Sequence, residues 1–320
     1  MRALVLDREL RFEPSWPDPE PGPGEAIVRV TRAGICGTDL ALVHGYKGQF
    51  WGVPGHEFVG VVERADGPTS LIGRRVVGEI NVACGVCRAC RRGHRAHCEK
   101  RQVIGIVGRD GAFAERLAVP IDNLHTVPDD VPDDAAVFVE PLAAAARVAE
   151  QVHVGAGDRA VVVGDGRLGL LVAQVLAAEG AHVTSLGRHA AKLAVLERRG
   201  IATTSDPDEV TPGADLVVEA TGSRDGLDVA LRLVRARGTV VVKSTCAGNA
   251  PRNIDWNRLV VDEITLVGSR CGPFSTAIRL LQQGAVDVAS LIAARFPLEE
   301  GAAAFAEAAR PGVMKVLLVP

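Results

Sequence analysis

The sequence predicts an α/β chain in two parts: an irregular, mostly β first part, then a doubly wound parallel sheet. Three observations carry this. Up to about residue 130, short strand-like runs are broken by Gly and Pro. From about residue 135, strand patterns alternate with helix patterns, as in a parallel sheet covered on both faces. The length, 320 residues, is enough for two cores.

Taken in order, MRALVLDREL reads as a first strand. It lacks the long apolar core of a signal peptide, so a cytoplasmic protein is expected. PEPGPGE is a turn-rich loop, and EAIVRVTRAG, FVGVVERA, RRVVGEI and GAFAERLAV read as strands. In the second part AVVVG runs into an apolar helix, LGLLVAQVLAAEG, followed by HVTSLG and a helix around HAAKLAVLERRG. Then come DLVVEATG, a helix around GLDVALRLVRARG, the strands TVVVKS and ITLVGS, and the helix AIRLLQQG. The tail GVMKVLLVP holds one more strand, expected to return to the first part. The domains are therefore set at 1–132, with 288–320 returning to it, and 133–287.

Composition excludes several classes. The net charge of −3 offers no basic footprint for nucleic acid. No apolar run reaches bilayer-spanning length, so neither nucleic acid nor membrane is expected as a partner. Aromatics are only 4% of residues, which suits compact Gly-, Ala- and Val-rich packing.

Cys84, Cys87, Cys90 and Cys98 follow the spacing C-x2-C-x2-C-x7-C. Two intervening residues let neighbouring thiolates converge on one tetrahedral ion. Arg88, Arg91, Arg92 and Arg95 lie among them, and positive charge favours the thiolate. Four thiolates leave no open position, so a closed structural zinc is expected rather than a disulfide framework, a redox pair or an iron–sulfur cluster. Away from this lobe, Cys36, His56, Glu57 and Glu140 also carry metal donors and sit near Gly or Pro in turn-like contexts.

Residues 164–169, GDGRLG, form G-x-G-x-x-G after a β-run and before a helix, a dinucleotide fingerprint. Gly164 makes the turn, Gly166 admits the pyrophosphate, and Gly169 packs helix on strand. Arg167 and Leu168 open the helix facing the anion. The next strand normally ends in an acid that grips the ribose of NAD; here Gly187 stands in that place, with Arg188, His189 and Lys192 following. A phosphate would fit there and be held by Arg, so NADP(H) is expected over NAD(H). The alternative is that Arg188 stacks on adenine and both cofactors bind. Thr221, Lys243, Ser244 and Arg270 lie at later strand ends and are further candidates for the nucleotide.

Residues 34–39 (GICGTD), Gly55-His56-Glu57 and the four-cysteine lobe together resemble the zinc-dependent medium-chain dehydrogenase/reductase superfamily of alcohol, polyol and glucose dehydrogenases. The resemblance covers essentially the whole chain. It implies a GroES-like catalytic domain, a Rossmann domain, and a second, catalytic zinc with one open position in the cleft between them. Cys36 and His56 are the implied ligand pair, with Glu57 or Glu140 as the third. The alternative for Glu140 is capping of the helix expected to start at Pro141. Asp39 would hold the far nitrogen of His56. Thr38 matches the family's proton-relay hydroxyl. Many members carry a histidine five residues after the cysteine; Ala41 stands there, and His44 is the substitute or a surface histidine. Tyr46, Phe50 and Trp51 are suggested to line the substrate pocket, whereas Cys246 and Cys271 read as buried spectators.

The expected function is zinc-dependent hydride transfer between NADP(H) and a small alcohol or polyol, or its aldehyde or ketone, with two Zn2+ per chain. Alternatives are reduction of C=C or C=N bonds on the same scaffold, or a non-catalytic NADPH-binding redox sensor. The family implies a homo-oligomer, dimer or tetramer.

Overall fold

The computed structural model describes residues 1–46, 50–245 and 254–320. Cys246 lies outside them. The chain forms two compact units, Met1–Glu140 with Ile292–Pro320, and Pro141–Leu291.

In the first unit, the central ten-residue strand Glu25–Gly34 runs EAIVRVTRAG with Ala26, Ile27, Val28, Val30 and Ala33 buried. It pairs antiparallel with Glu57–Ala65, with Arg116–Pro120 and with the final strand, Lys315–Val319. The described sheet runs Ile292–Pro297, Lys315–Val319, Glu25–Gly34, Glu57–Ala65, Arg75–Gly78, Leu124–Thr126. Two register shifts in the Glu25–Gly34/Glu57–Ala65 pair bend the ladder. Only part of GAFAERLAV is regular strand. Its first residues bond the chain start instead, Leu4 N–H to Phe113 O at 2.7 Å and Glu115 N–H to Arg2 O at 3.1 Å. The start itself is a hairpin, Ala3–Asp7 with Glu9–Glu13, turned at Arg8 with φ +60°. Phe113 and Phe305 meet edge to face, centroids 5.8 Å apart, within this core.

The second unit holds a parallel sheet in the order Ala202–Thr204, His182–Leu186, Arg159–Val163, Ala214–Glu219, Val234–Val242, Thr265–Gly268. In sequence terms that is 3-2-1-4-5-6, the doubly wound order. Its strands are near-continuous apolar runs because helices cover both faces, as in RAVVV and ADLVVE. The order reverses between Arg159–Val163 and Ala214–Glu219, so the loops leaving these two strands flank the crevice where such sheets take ligands. The helix expected around GLDVALRLVRARG is shorter, Gly226–Leu233, and Val234 onward is strand. Val234 is fully buried and paired with Ala214, and that burial outweighs the helix propensity of the arginines after it.

Candidate functional site

Three chain segments meet at the end of the central strand. Glu57 is the register partner of Gly34, which brings the start of one strand beside the end of the other. Ile35 N–H bonds Val316 O at 3.0 Å, which brings Lys315 to the same place. Cys36 then caps the helix Gly37–Val43, its backbone N–H donating to Asp39 Oδ2 at 2.7 Å. His56 follows Gly55, whose φ of +100° only glycine takes without strain; a Cβ there would stand 2.5 Å from the Phe113 ring. The result is a buried group in which donor atoms of Cys36, His56 and Glu57 all lie within 4.8 Å of one another.

The surroundings of this group call for positive charge. Asp39 is fully buried, His56 is 3% exposed and Glu57 is 1% exposed. His56 Nδ1 lies 3.2 Å from Asp39 Oδ1, close enough for an ion pair but not aligned as a hydrogen bond. Burial, the largest influence, pushes the His56 imidazole down, but Asp39 and then Cys36 outweigh it and hold it well above the usual histidine range. A proton here does what a divalent cation would do among a thiol, an imidazole and a carboxylate. With Nδ1 turned to Asp39, Nε2 is the nitrogen left to serve a metal. The donor chemistry therefore fits zinc. Glu57 Oε2 is also engaged by the buried ammonium of Lys315, which lies 5.7 Å from the Phe138 ring centroid. Glu140 stands in the first turn of the helix Val139–Gln151, outside the converging group.

The four-cysteine lobe is closed. Cys84, Cys87, Cys90 and Cys98 place their sulfurs within 4.8 Å of one another. Cys98 Sγ accepts backbone N–H groups of Cys84 and Lys100, each at 3.3 Å. Backbone N–H groups of Cys90 and Glu99 lower the Cys87 thiol to about 6, while burial first and the neighbouring sulfurs next push Cys90 up to about 12. Such crowded sulfurs cannot all ionise alone; a divalent cation removes the conflict, so the donor set fits a structural zinc.

In the second unit, Gly164 turns the chain at φ +121°, and a Cβ on Gly169 would lie 2.0 Å from Gly164 O. Nothing lies within 4 Å of the Cβ direction of Gly166, the N-cap of the helix Arg167–Ala178, so its backbone is open to an approaching anion. A cavity of about 460 Å³ is lined by Gly164, Gly166, Gly187, Arg188, His189 and Lys192, with Thr221 also on its wall. The fit to a dinucleotide is in the chemistry: an open glycine turn, a helix start and three basic side chains. Leu168 is half-buried on that helix.

The remaining expected residues lie on several elements. Thr38 is half-buried in the first turn of Gly37–Val43, but His44 is its exposed C-cap, outside the converging donor group. Ser244 Oγ donates to Glu219 Oε2 at 2.6 Å, and Thr221 also bonds Glu219. The Lys243 ammonium is tied to Ser269 Oγ and the Arg270 carbonyl, while the Arg270 side chain is exposed. Tyr46 and Trp51 are exposed, at 40% and 72%, and Phe50 is half-buried. Cys271 is half-buried rather than buried.

Sequence reasoning passed over Lys315, Asp165 and Glu219. The signals existed: a lone cation inside the apolar run VMKVLLV, an acid inside an anion-binding turn, and an acid ending an apolar strand.

A doubly wound sheet with a glycine turn, on a chain that also gathers a thiol, an imidazole and a carboxylate, defines a metal-dependent dehydrogenase. Residues 22–129 match the family model "Alcohol dehydrogenase GroES-like domain", and residues 168–283 match "Zinc-binding dehydrogenase". The erythritol/L-threitol dehydrogenase of Mycolicibacterium smegmatis is 31% identical over 88% of this chain and 86% of its own. An L-threonine 3-dehydrogenase of Streptomyces avermitilis is 34% identical over 99% of both. A zinc-binding dehydrogenase from Sinorhizobium meliloti, solved bound to NADP, superposes with a TM-score of 0.92 at 30% identity, covering 100% of this chain and 99% of its own. The chain belongs to the zinc-dependent medium-chain dehydrogenase/reductase superfamily. It is an oxidoreductase of alcohols that uses zinc and a nicotinamide dinucleotide, with GroES-like and Rossmann folds in its two parts.

Proposed function

We propose that this enzyme transfers a hydride between NADP(H) and a small alcohol or polyol, or the matching carbonyl, and carries one open and one closed zinc site per chain. The observation that carries the reading is the buried convergence of Cys36, His56 and Glu57 within 4.8 Å. When bound, zinc supplies Lewis acidity toward the alcohol oxygen, and the nicotinamide supplies the hydride acceptor. The chain's own residues do the rest. Asp39 holds His56 in one orientation, and Lys315 holds Glu57 by one oxygen. Thr38, next to Asp39 on the same helix turn, is the hydroxyl that passes the substrate proton toward water.

The preference for NADP(H) rests on Arg188 and Lys192 beside the cavity and on the missing side chain at Gly187. Arg188→Ala is expected to weaken NADPH at least about tenfold and NADH little, read by fluorescence titration; equal losses would remove the phosphate reading. The polyol class is supported by what the relatives are named for: erythritol or threitol, and L-threonine, a small polar alcohol. A spectrophotometric screen of alcohols, polyols and aldehydes with both dinucleotides tests the whole reading. Turnover of none of them would remove the substrate class proposed here.

A homo-oligomer is supported by the apolar edge of the parallel sheet. Val260 and Val261 are 72% and 78% exposed, beside the edge strand Thr265–Gly268 with its exposed Leu266. A cytoplasmic location is supported by the clustering of Cys84, Cys87, Cys90 and Cys98 as a metal-donor set, the use of cysteine that suits a reducing compartment. Among the described residues no helix is long and apolar enough to cross a membrane.

A further inference from the structure

Asp165 stands between the first two glycines of the dinucleotide turn. An acid there opposes anion binding unless its charge is engaged elsewhere. Its Oδ2 accepts the backbone N–H groups of Arg188 at 2.7 Å and His189 at 2.6 Å, and lies 2.8 Å from His189 Nδ1. The side chain is buried, with the residue 8% exposed. Burial alone would raise its carboxyl, but the bonds from His189 and Arg188 outweigh it and hold it below the usual carboxylate range. The acid therefore faces the Gly187–His189 turn and anchors it at the start of the helix Ala190–Glu197.

A second observation is steric. A Cβ on Gly187 would stand 2.5 Å from Asp165 Cβ and 2.9 Å from its Cγ. These atoms sit next to the backbone and cannot swing aside as the tip of a long side chain can. No side chain fits at 187 while 165 carries one. Position 187 is where an NAD-selecting acid would stand.

We propose that Asp165 is the positioning residue that sets dinucleotide selectivity in this chain: it braces the turn that presents Arg188 to the cavity, and it closes position 187 to any acid. The direction of the preference rests on the phosphate reading above, but the closure of 187 is testable with NADH alone.

The test compares wild type, G187D, D165A and, with no side chain left at 165, the double variant D165G/G187D as full chains. Dissociation constants for NADH and NADPH come from nicotinamide fluorescence, and thermal midpoints are read alongside. G187D is expected to lower the midpoint or weaken both dinucleotides about tenfold. D165G/G187D is expected to recover the midpoint and bind NADH at least about tenfold tighter than G187D, the non-additivity of two groups in contact. D165A alone is expected to cut the NADPH-over-NADH ratio about tenfold as the turn loses its brace. The proposal is overturned if G187D binds NADH more tightly than wild type at an unchanged midpoint, or if the double variant recovers neither NADH nor stability. It is overturned equally if D165A tightens NADPH, because the carboxylate would then act as a repelling charge, or leaves the ratio unchanged. Failure of the phosphate reading shows separately, as equal losses of both dinucleotides in Arg188→Ala.

Discussion

Lys315 illustrates how much a single residue can depend on its neighbours. It is 1% exposed, and its ammonium meets Glu57, itself 1% exposed. Removing one partner of such a pair leaves a bare buried charge, which costs more than removing both. Lys315→Met is therefore expected to destabilise the first unit by about 3 kcal/mol. Lys315→Met with Glu57→Gln should recover much of that, and thermal unfolding of both variants checks the difference. If the double variant is no more stable than the single one, the pair is not coupled as described. Local sequence could flag Lys315 as an anomaly in an apolar strand, but not its partner. Glu57 is distant in sequence, and only the registers of Glu57 on Gly34 and of Leu317 on Gly34 bring the two together.

Elements transmit these contacts. The four-cysteine lobe holds only short pieces of regular structure, Arg88–Arg91 and Arg95–His97, with no buried residue in either. An element without an apolar core takes its stability from a bound ion. Cys90→Ser should lose about one zinc per chain by metal analysis and lower the thermal midpoint, while the ligand group at Cys36 keeps its metal; a variant with unchanged midpoint would count against a structural role. A different clamp ties the tail to the first unit: Asp134 bonds Arg32 Nε at 2.9 Å and Arg295 Nε at 2.8 Å, linking a short helix to two strands of the sheet. Partial burial acts to raise the Asp134 carboxyl, but hydrogen bonds and charge from Arg295 and Arg32 outweigh it and hold it below the usual range. Its contribution is complete above about pH 4 and is lost as the pH falls through the depressed value. Asp134→Asn should lower the midpoint by about 2–4 °C at pH 7, with the gap to wild type narrowing in acid. A gap that is constant down to about pH 2 would show that the charge is not responsible.

For the whole molecule, the exposed apolar edge makes a prediction about assembly. Val261→Lys, at the end of the helix Trp256–Val261, with Leu266→Lys on the edge strand should shift the mass seen by light scattering to a smaller species, since charge at a sheet edge opposes pairing with another copy; an unchanged mass would take this edge out of the assembly. The sequence by itself determined the two-part α/β plan, the glycine turn, the clustering of the four cysteines and the pairing of Cys36 with His56 as candidate donors. Those features are local: hydrophobic period follows element type, x2 spacing brings thiolates together, and Gly164, Gly166 and Gly169 each meet a demand made by their own turn. It overran the helix after Gly226, because the burial of Val234 against Ala214 is a sheet contact that no helix propensity reveals. The tertiary structure alone decided that Glu57 comes within 4.8 Å of Cys36 and His56, that Lys315 reaches Glu57, and that Asp165 fills the space above Gly187. Those contacts are fixed by strand register and by loops meeting across a sheet, and a one-residue slip in either would send the same side chains to the opposite face.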